Sequence, residues 1–302
     1  MNFGGIADEE LSGFEGARVV VWPVSYEGTV SYGTGTGRGA EAIIEASRNM
    51  ELYDEETDAE VYRLGIHTLD VTPPAEPPEA MMKALLGKAR ELVSTGKFVC
   101  MIGGEHSVSG PVIQAHAERY ENLSVLQIDA HADLRDAYDG TPHSHASIMA
   151  RVVKDLKLPA VQVGIRSISA EEARSLARLP TRVFWAKDIA GRTDWWDDAV
   201  SGLTENVYLT IDIDGLDPSL VAQTGTPEPG GLGWYEVVGL VRALARSGRR
   251  VVGMDLTEYS YVEGFDASAF LCAKLIYKSL SFIFESETER VRGGAQASGA
   301  GA

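Results

Sequence analysis

Short apolar runs rich in strand-forming residues recur along this chain, with longer segments of helical periodicity between them. The runs are Arg18–Val24, Val61–Ile66, Phe98–Ile102, Ser124–Asp129, Ala160–Ile165, Arg182–Trp185, Val207–Ile213 and Arg250–Leu256. The helical segments lie near Ala40–Asn49, Pro78–Ser94, Val108–Arg119, His145–Leu156, Ala170–Leu179, Trp234–Ser247 and Asp266–Phe284. The runs are continuously apolar rather than alternating, as strands are when helices cover both faces of their sheet. Regular alternation of strand with helix implies βαβ crossovers. The expectation is therefore an α/β fold, a three-layer α/β/α sandwich around a mostly parallel sheet of eight strands.

With 302 residues, 44% of them hydrophobic, the chain has ample material for a core. No internal repeat or composition shift marks a boundary, so one domain is expected over residues 1–290. The proline-rich stretch Val71–Pro78 reads as a linker between two βα units. Residues 291–302 are small and Gly-rich and are expected to be disordered. No apolar run approaches the roughly 18 to 20 residues of a membrane span, and the N-terminus lacks a basic segment followed by an apolar one. Cys100 and Cys272 sit in apolar surroundings, as small core residues of a reducing compartment do. The expected location is the cytoplasm.

Three distant clusters carry the chemistry: Gly103-Gly104-Glu105-His106, Asp129-Ala130-His131-Ala132-Asp133 and Asp212-Ile213-Asp214. Each follows a strand-like run, and ligands of open parallel sheets bind beyond the carboxyl ends of the strands. Spacing of two residues puts Asp129, His131 and Asp133 on one side of an extended segment, and Asp212 with Asp214 likewise. A lone strand-end Asp is more often a helix cap or turn former. Two imidazoles and four carboxylates at three such tips instead suit a pair of divalent cations. Oxygen-rich ligation favours Mn²⁺, with Zn, Fe, Co and Ni also compatible. Water between two such ions loses a proton near neutral pH.

These residues resemble the ureohydrolase family of arginase, agmatinase and relatives. The likeness extends to Ser31-Tyr32-Gly33, Gly39–Ser47, Ser144-His145-Ala146, Val163–Ser167, Thr224–Gly231 and Asp255-Leu256-Thr257-Glu258. It implies the family's fold and two Mn²⁺ ions per chain. By this resemblance His106 and Asp133 would bind one ion, His131 and Asp214 the other, and Asp129 and Asp212 would bridge them. Glu258 would hold the substrate's guanidinium, for which a carboxylate is a matching acceptor. His145 would protonate the leaving amine; His143 fits less well, because the family's histidine directly precedes Ala or Gly. A metal-bridging hydroxide would attack the guanidinium carbon, and the products would be urea and an amine. The resemblance also implies a homo-oligomer, trimer or hexamer.

The loops bear on the substrate. Ser167 stands where arginase-type enzymes carry an acid, and the loop Leu134–Gly140 lacks their Asn and Ser pattern. With the TGTPEPGG segment this looks like agmatinase, which converts agmatine to putrescine in polyamine biosynthesis. N1-aminopropylagmatine, guanidinobutyrate and, behind them, arginine are the alternatives. Arg135 could serve a carboxylate, although pairing with Asp136 or Asp139 is the expectation. A formal charge of −17 opposes nucleic acid and anionic membranes and suits a small cationic substrate, while also serving solubility. The glycine-rich segment Gly33–Gly39 contains a string like a dinucleotide fingerprint, but no acidic ribose partner follows it. It is expected to border the site or a subunit contact. Two other classes compete: a non-catalytic metal-binding regulatory relative, and a single-zinc deacetylase on the same fold, which would use adjacent histidines.

Overall fold

The computed structural model describes residues 2–291. Its strands are β1 (Val19–Pro23), β2 (Ile66–Thr68), β3 (Phe98–Ile102), β4 (Leu123–Ile128), β5 (Ala160–Ile165), β6 (Thr181–Trp185), β7 (Asn206–Asp212) and β8 (Arg250–Thr257). All pair in parallel in the order β2-β1-β3-β8-β7-β4-β5-β6. Every residue of β1, β3, β4 and β5 is buried, which explains their unbroken apolar character. Successive side chains point to opposite faces. Val19 and Val21 thus enter a core with the helices Gly39–Ser47, Trp234–Arg246 and Ala267–Ile283. Val20 and Trp22 enter another with Pro78–Ser94 and Ser109–Arg119. The expected three-layer α/β/α fold is the fold observed.

Two elements depart from expectation. Val61–Ile66 is not a strand: Val61–Leu64 forms a 3-10 turn, and β2 starts at Ile66. Val61 is fully buried, so it reads like a strand residue although its backbone turns. Gly65, at φ +82°, makes the transition where an added Cβ would come 2.8 Å from Ala17 Cα. The helix expected over His145–Leu156 is a 3-10 turn (His145–Ser147), a single α turn (Ile148–Ala150) and a π turn (Arg151–Asp155). Such π turns are frequent at functional sites, and this one lies just after His145. Residue 291 ends a helical segment, Glu285–Val291; the rest of the expected tail lies outside the described residues. Among the described residues no single helix is long and apolar enough to cross a membrane.

One level of the sheet is polar. Gln162, Gln127, Thr210 and Asp255 stand in register across β5, β4, β7 and β8, each fully buried. An unpaired buried polar group costs about 1–3 kcal/mol, and here all have partners. Gln162 Nε2 donates to Gln127 Oε1 (2.6 Å), Thr210 Oγ1 to Asp255 Oδ1 (2.7 Å) and Tyr208 OH to Asp255 Oδ2 (2.8 Å). This row lies two residues before Asp129 and Asp212, hence on the same strand face.

A pH dependence follows from His116, buried on the helix Ser109–Arg119 against Tyr208, with 4.9 Å between ring centroids. Burial holds its pKa down at about 4. The unfolded value is about 6.5, so below that pH the unfolded chain binds the extra proton and stability falls as pH falls toward 4. At about 1.36 kcal/mol per pKa unit, the loss by pH 5 is about 2 kcal/mol. Denaturant titrations should show H116Q losing less stability than wild type between pH 7 and pH 5, by roughly that amount. Equal losses would contradict the assignment.

Candidate metal centre

The strands β3, β8, β7 and β4 are neighbours at the centre of the sheet, and the chain leaves each at the same edge. After β3 it turns through Gly103-Gly104, where a Cβ on Gly104 would lie 1.9 Å from Tyr26 O. No other residue fits that approach, and it delivers His106 to the rim. β4 runs into Asp129, β7 ends at Asp212, and Glu258 follows β8. Asp133 (φ 51°) and Glu258 (φ 66°) both occupy the left-handed region. Non-glycine residues held there cost of order 1–3 kcal/mol and cluster at functional sites.

The six candidate ligands converge in two groups. His106 Nδ1 lies 3.2 Å from Asp129 Oδ2, 3.2 Å from Asp133 Oδ2 and 3.4 Å from Asp212 Oδ2. His131 Nδ1 lies 2.9 Å from Asp214 Oδ2 and 3.7 Å from Asp129 Oδ1. Asp129 is thus common to both groups, one oxygen toward each. Asp212 faces His106 through Oδ2, while its Oδ1 accepts the Asp214 N–H (2.9 Å). Of the two bridges that the resemblance implies, the geometry joins only Asp129 to both imidazoles.

Thr210 Oγ1 gives its proton to Asp255, so toward His106 Nε2 (2.8 Å) it can only accept. One ring proton therefore sits on Nε2, and Nδ1 is the atom left to meet a proton or a metal ion. That atom is buried without a hydrogen-bond partner, facing three carboxylate oxygens. Electron-rich atoms so arranged fit a cation among them, and an imidazole whose other nitrogen is fixed by a hydrogen bond is the usual metal-ligand arrangement. Burial disfavours charge on His106, yet Asp129, Asp133 and Asp212 outweigh it and raise its affinity for a proton. Burial and then Asp129 push the Asp133 carboxyl up to about 7. Both shifts express the same concentrated negative potential.

Other residues hold this rim. Gln127 Nε2 donates to Asp129 Oδ2 (2.6 Å), and the Asp214 carboxylate accepts the Ala130 N–H (3.0 Å). Arg166 sends its guanidinium to the carbonyls of Asp214 (2.6 Å), Leu216 (3.2 Å) and Glu228 (2.8 Å), tying β5 to two loops. Beside the groups opens a cavity of about 340 Å³, lined by Tyr32, Arg135, Tyr138, His145, Glu228 and Glu258 among others. Glu258 Oε1 accepts the His106 N–H (2.6 Å). His145 is packed edge-on against Tyr138, ring centroids 5.8 Å apart. Burial, reinforced by the neighbouring His131 and His106, lowers its pKa to about 4, so its ring is neutral at pH 7.

His143 lines a different cavity, with Ser107, Gln114 and Arg151. Arg135 does not pair with Asp136, whose carboxylate Lys154 takes at 2.6 Å. It lies over the Tyr138 ring, 3.9 Å from Glu172 Oε2, because the loop turns it inward to the cavity. Gly33–Gly39 borders the cavity mouth: Gly33 N donates to Gly225 O (3.1 Å). Its glycines answer close packing, since a Cβ on Gly39 would lie 2.3 Å from Tyr259 O. Sequence reasoning missed Gln127, Thr210, Thr29 and Glu172, and gave Asp255 no role of its own within its motif. Gln127 and Thr210 had a signal, being polar residues inside strands, two positions before Asp129 and Asp212.

The sequence model of the Arginase family matches residues 17–281. The chain belongs to the arginase family of ureohydrolases. It is 40% identical over 294 residues to the N(1)-aminopropylagmatine ureohydrolase of Synechocystis sp., covering 95% of each chain. It is 34% identical to the agmatinase of Bacillus anthracis, covering 82% of this chain and 86% of that one. Among solved structures, the agmatine ureohydrolase of Thermoplasma volcanium superposes with a TM-score of 0.85 at 28% identity, over 96% of this chain and 97% of the other. Within this family fold, removing the hydroxyl behind His106 tests the ligand set. Competition with a chelator should show T210V holding a divalent cation about 10–100-fold more weakly than wild type. Unchanged affinity would contradict the role given to Thr210.

Proposed function

We propose that the chain hydrolyses the guanidinium group of agmatine, releasing urea and putrescine. The observation that carries this reading is one cavity that Glu258 and His145 share with the two His/Asp groups. The ligand set is His106, Asp129, His131, Asp133, Asp212 and Asp214, and the proposed metal is Mn²⁺, two per chain. Two such ions, when bound, supply Lewis acidity and a water acidified to near neutral pH. A guanidinium is charged and resonance-stabilised, so it must be held and oriented. Glu258 offers it a carboxylate whose position is fixed by the His106 N–H. The amine must leave protonated, and His145, neutral at rest, takes up a proton and delivers it.

The substrate's far end meets carboxylates. Glu172 and Glu228 line the cavity with the uncharged Ser167 and Ser169, and the charge of Arg135 is opposed by Glu172. This supports a terminal ammonium over a carboxylate. A second reading, favoured by the 40% identical relative, is that N1-aminopropylagmatine is the preferred substrate. The wider reading is one catalytic domain over residues 1–290, in the cytoplasm, forming a homo-oligomer and serving polyamine biosynthesis. It rests on the sequence arguments above.

The test is urea release by the Mn²⁺-loaded enzyme from agmatine, N1-aminopropylagmatine, guanidinobutyrate, guanidinopropionate and arginine. One of the first two should lead, with kcat/KM for arginine lower by about 100-fold or more. E258Q should lose about 100-fold or more of kcat/KM, and D129N should abolish activity. No urea from any of the five, or arginine leading, would refute the reading.

A further inference from the structure

We propose that Thr29 fixes the tautomer of His145, keeping a proton on Nδ1 and making Nε2 the one ring atom that exchanges protons with the cavity. Thr29 is far from the metal-centre motifs in sequence and comes close to them through the loop that follows β1. Its Oγ1 donates to Glu105 Oε1 (2.5 Å), and its backbone N donates to Glu105 Oε2 (2.6 Å). Ser107 Oγ donates to the same carboxylate (2.6 Å), so Glu105, which is fully buried, is surrounded by donors. With its one proton directed to Glu105, Thr29 Oγ1 can only accept from other groups. It accepts the His145 N–H at 3.1 Å, which anchors the backbone, and faces His145 Nδ1 at 3.3 Å. A hydroxyl oxygen that can only accept requires Nδ1–H opposite it. Nε2 then carries the lone pair, beside Ser31 Oγ at 3.5 Å.

This is the device already found at His106, where Thr210 donates to buried Asp255 and accepts from the ring. One pair turns Nδ1 toward the carboxylates; the other leaves a lone pair on Nε2 toward the cavity. The tautomer is a meaningful quantity because His145 is neutral at pH 7. The titratable groups around its ring are His131, His106 and Asp139, with Glu105 behind Thr29, where burial raises the carboxyl's pKa and the hydrogen bonds from Ser107 and Thr29 oppose that rise. The competing partner is Ser144 Oγ, 3.4 Å from Nδ1, which as a donor would favour the opposite tautomer. In turnover Nε2 would bind a proton to form the imidazolium and release it to the departing amine, with Nδ1–H unchanged. That consequence rests on the proposed function; the tautomer does not.

The experiment is nitrogen-15 NMR on the full-length protein with labelled histidine, in diamagnetic form, His145 being identified by the signals lost in H145Q. Wild type should show the Nδ1–H form, T29S should keep it, and T29V should shift toward Nε2–H, while S144A leaves it unchanged. An Nε2–H ring in wild type, an unaltered ring in T29V, or control by Ser144 would overturn the proposal. Kinetics give a second readout: T29V should lose about tenfold in kcat with KM within about twofold, and T29S should restore most of it. A wild type that releases no urea counts against the proposed function alone, since the NMR result still decides the tautomer.

Discussion

Mutual repulsion at the sheet edge is the constraint on which the rest of this structure depends. Three carboxylate oxygens lie within 3.4 Å of one imidazole nitrogen, and the fourth candidate carboxylate sits 2.9 Å from the second imidazole. Such a set persists only where the surrounding chain holds it rigidly and where positive charge is available to it. The fold supplies the rigidity through the four central strands, whose backbone positions their neighbours fix on both sides. It supplies orientation through the polar row one level below, where Gln127 holds Asp129, and Asp255 acts on His106 through Thr210. Strain at Asp133 and Glu258 is concentrated at the same rim.

The same logic links the metal groups to the cavity beside them. Glu258 is fixed by the backbone N–H of His106, so the proposed guanidinium holder and one proposed ligand share a support. His131, partly exposed, comes within 3.9 Å of Glu228 on the loop that Arg166 clamps. A displacement of any one of these loops would therefore disturb both the ligand groups and the binding cavity. The fact that two groups share Asp129 also separates this site from the single-metal deacetylase alternative.

Much of this was legible in the sequence. The continuous apolar runs gave the parallel three-layer fold because both sheet faces are covered, and the strand ends gave the rim. The failures have physical causes. Val61 is buried on a turn, and burial is what an apolar run reports, so the run Val61–Ile66 read as a strand. The segment after His145 is apolar at helical spacing, yet it winds irregularly through a π turn. Arg135 was expected to pair with a sequence neighbour, whereas Lys154 reaches Asp136 from another part of the chain. Thr29 and Glu172 act through tertiary contacts from distant loops, and no spacing rule connects them to the site. The role of Asp212 as a second bridge came from resemblance alone, and the geometry joins Asp129 but not Asp212 to both groups.

The proposed occupancy of the two His/Asp groups is a pair of divalent cations sharing Asp129. Anomalous diffraction at the manganese edge, from crystals grown with Mn²⁺, tests it most directly. Two peaks are expected, one within coordination distance of His106 Nδ1 and one within coordination distance of His131 Nδ1, both within reach of Asp129. A single peak, or peaks away from these nitrogens, would contradict it.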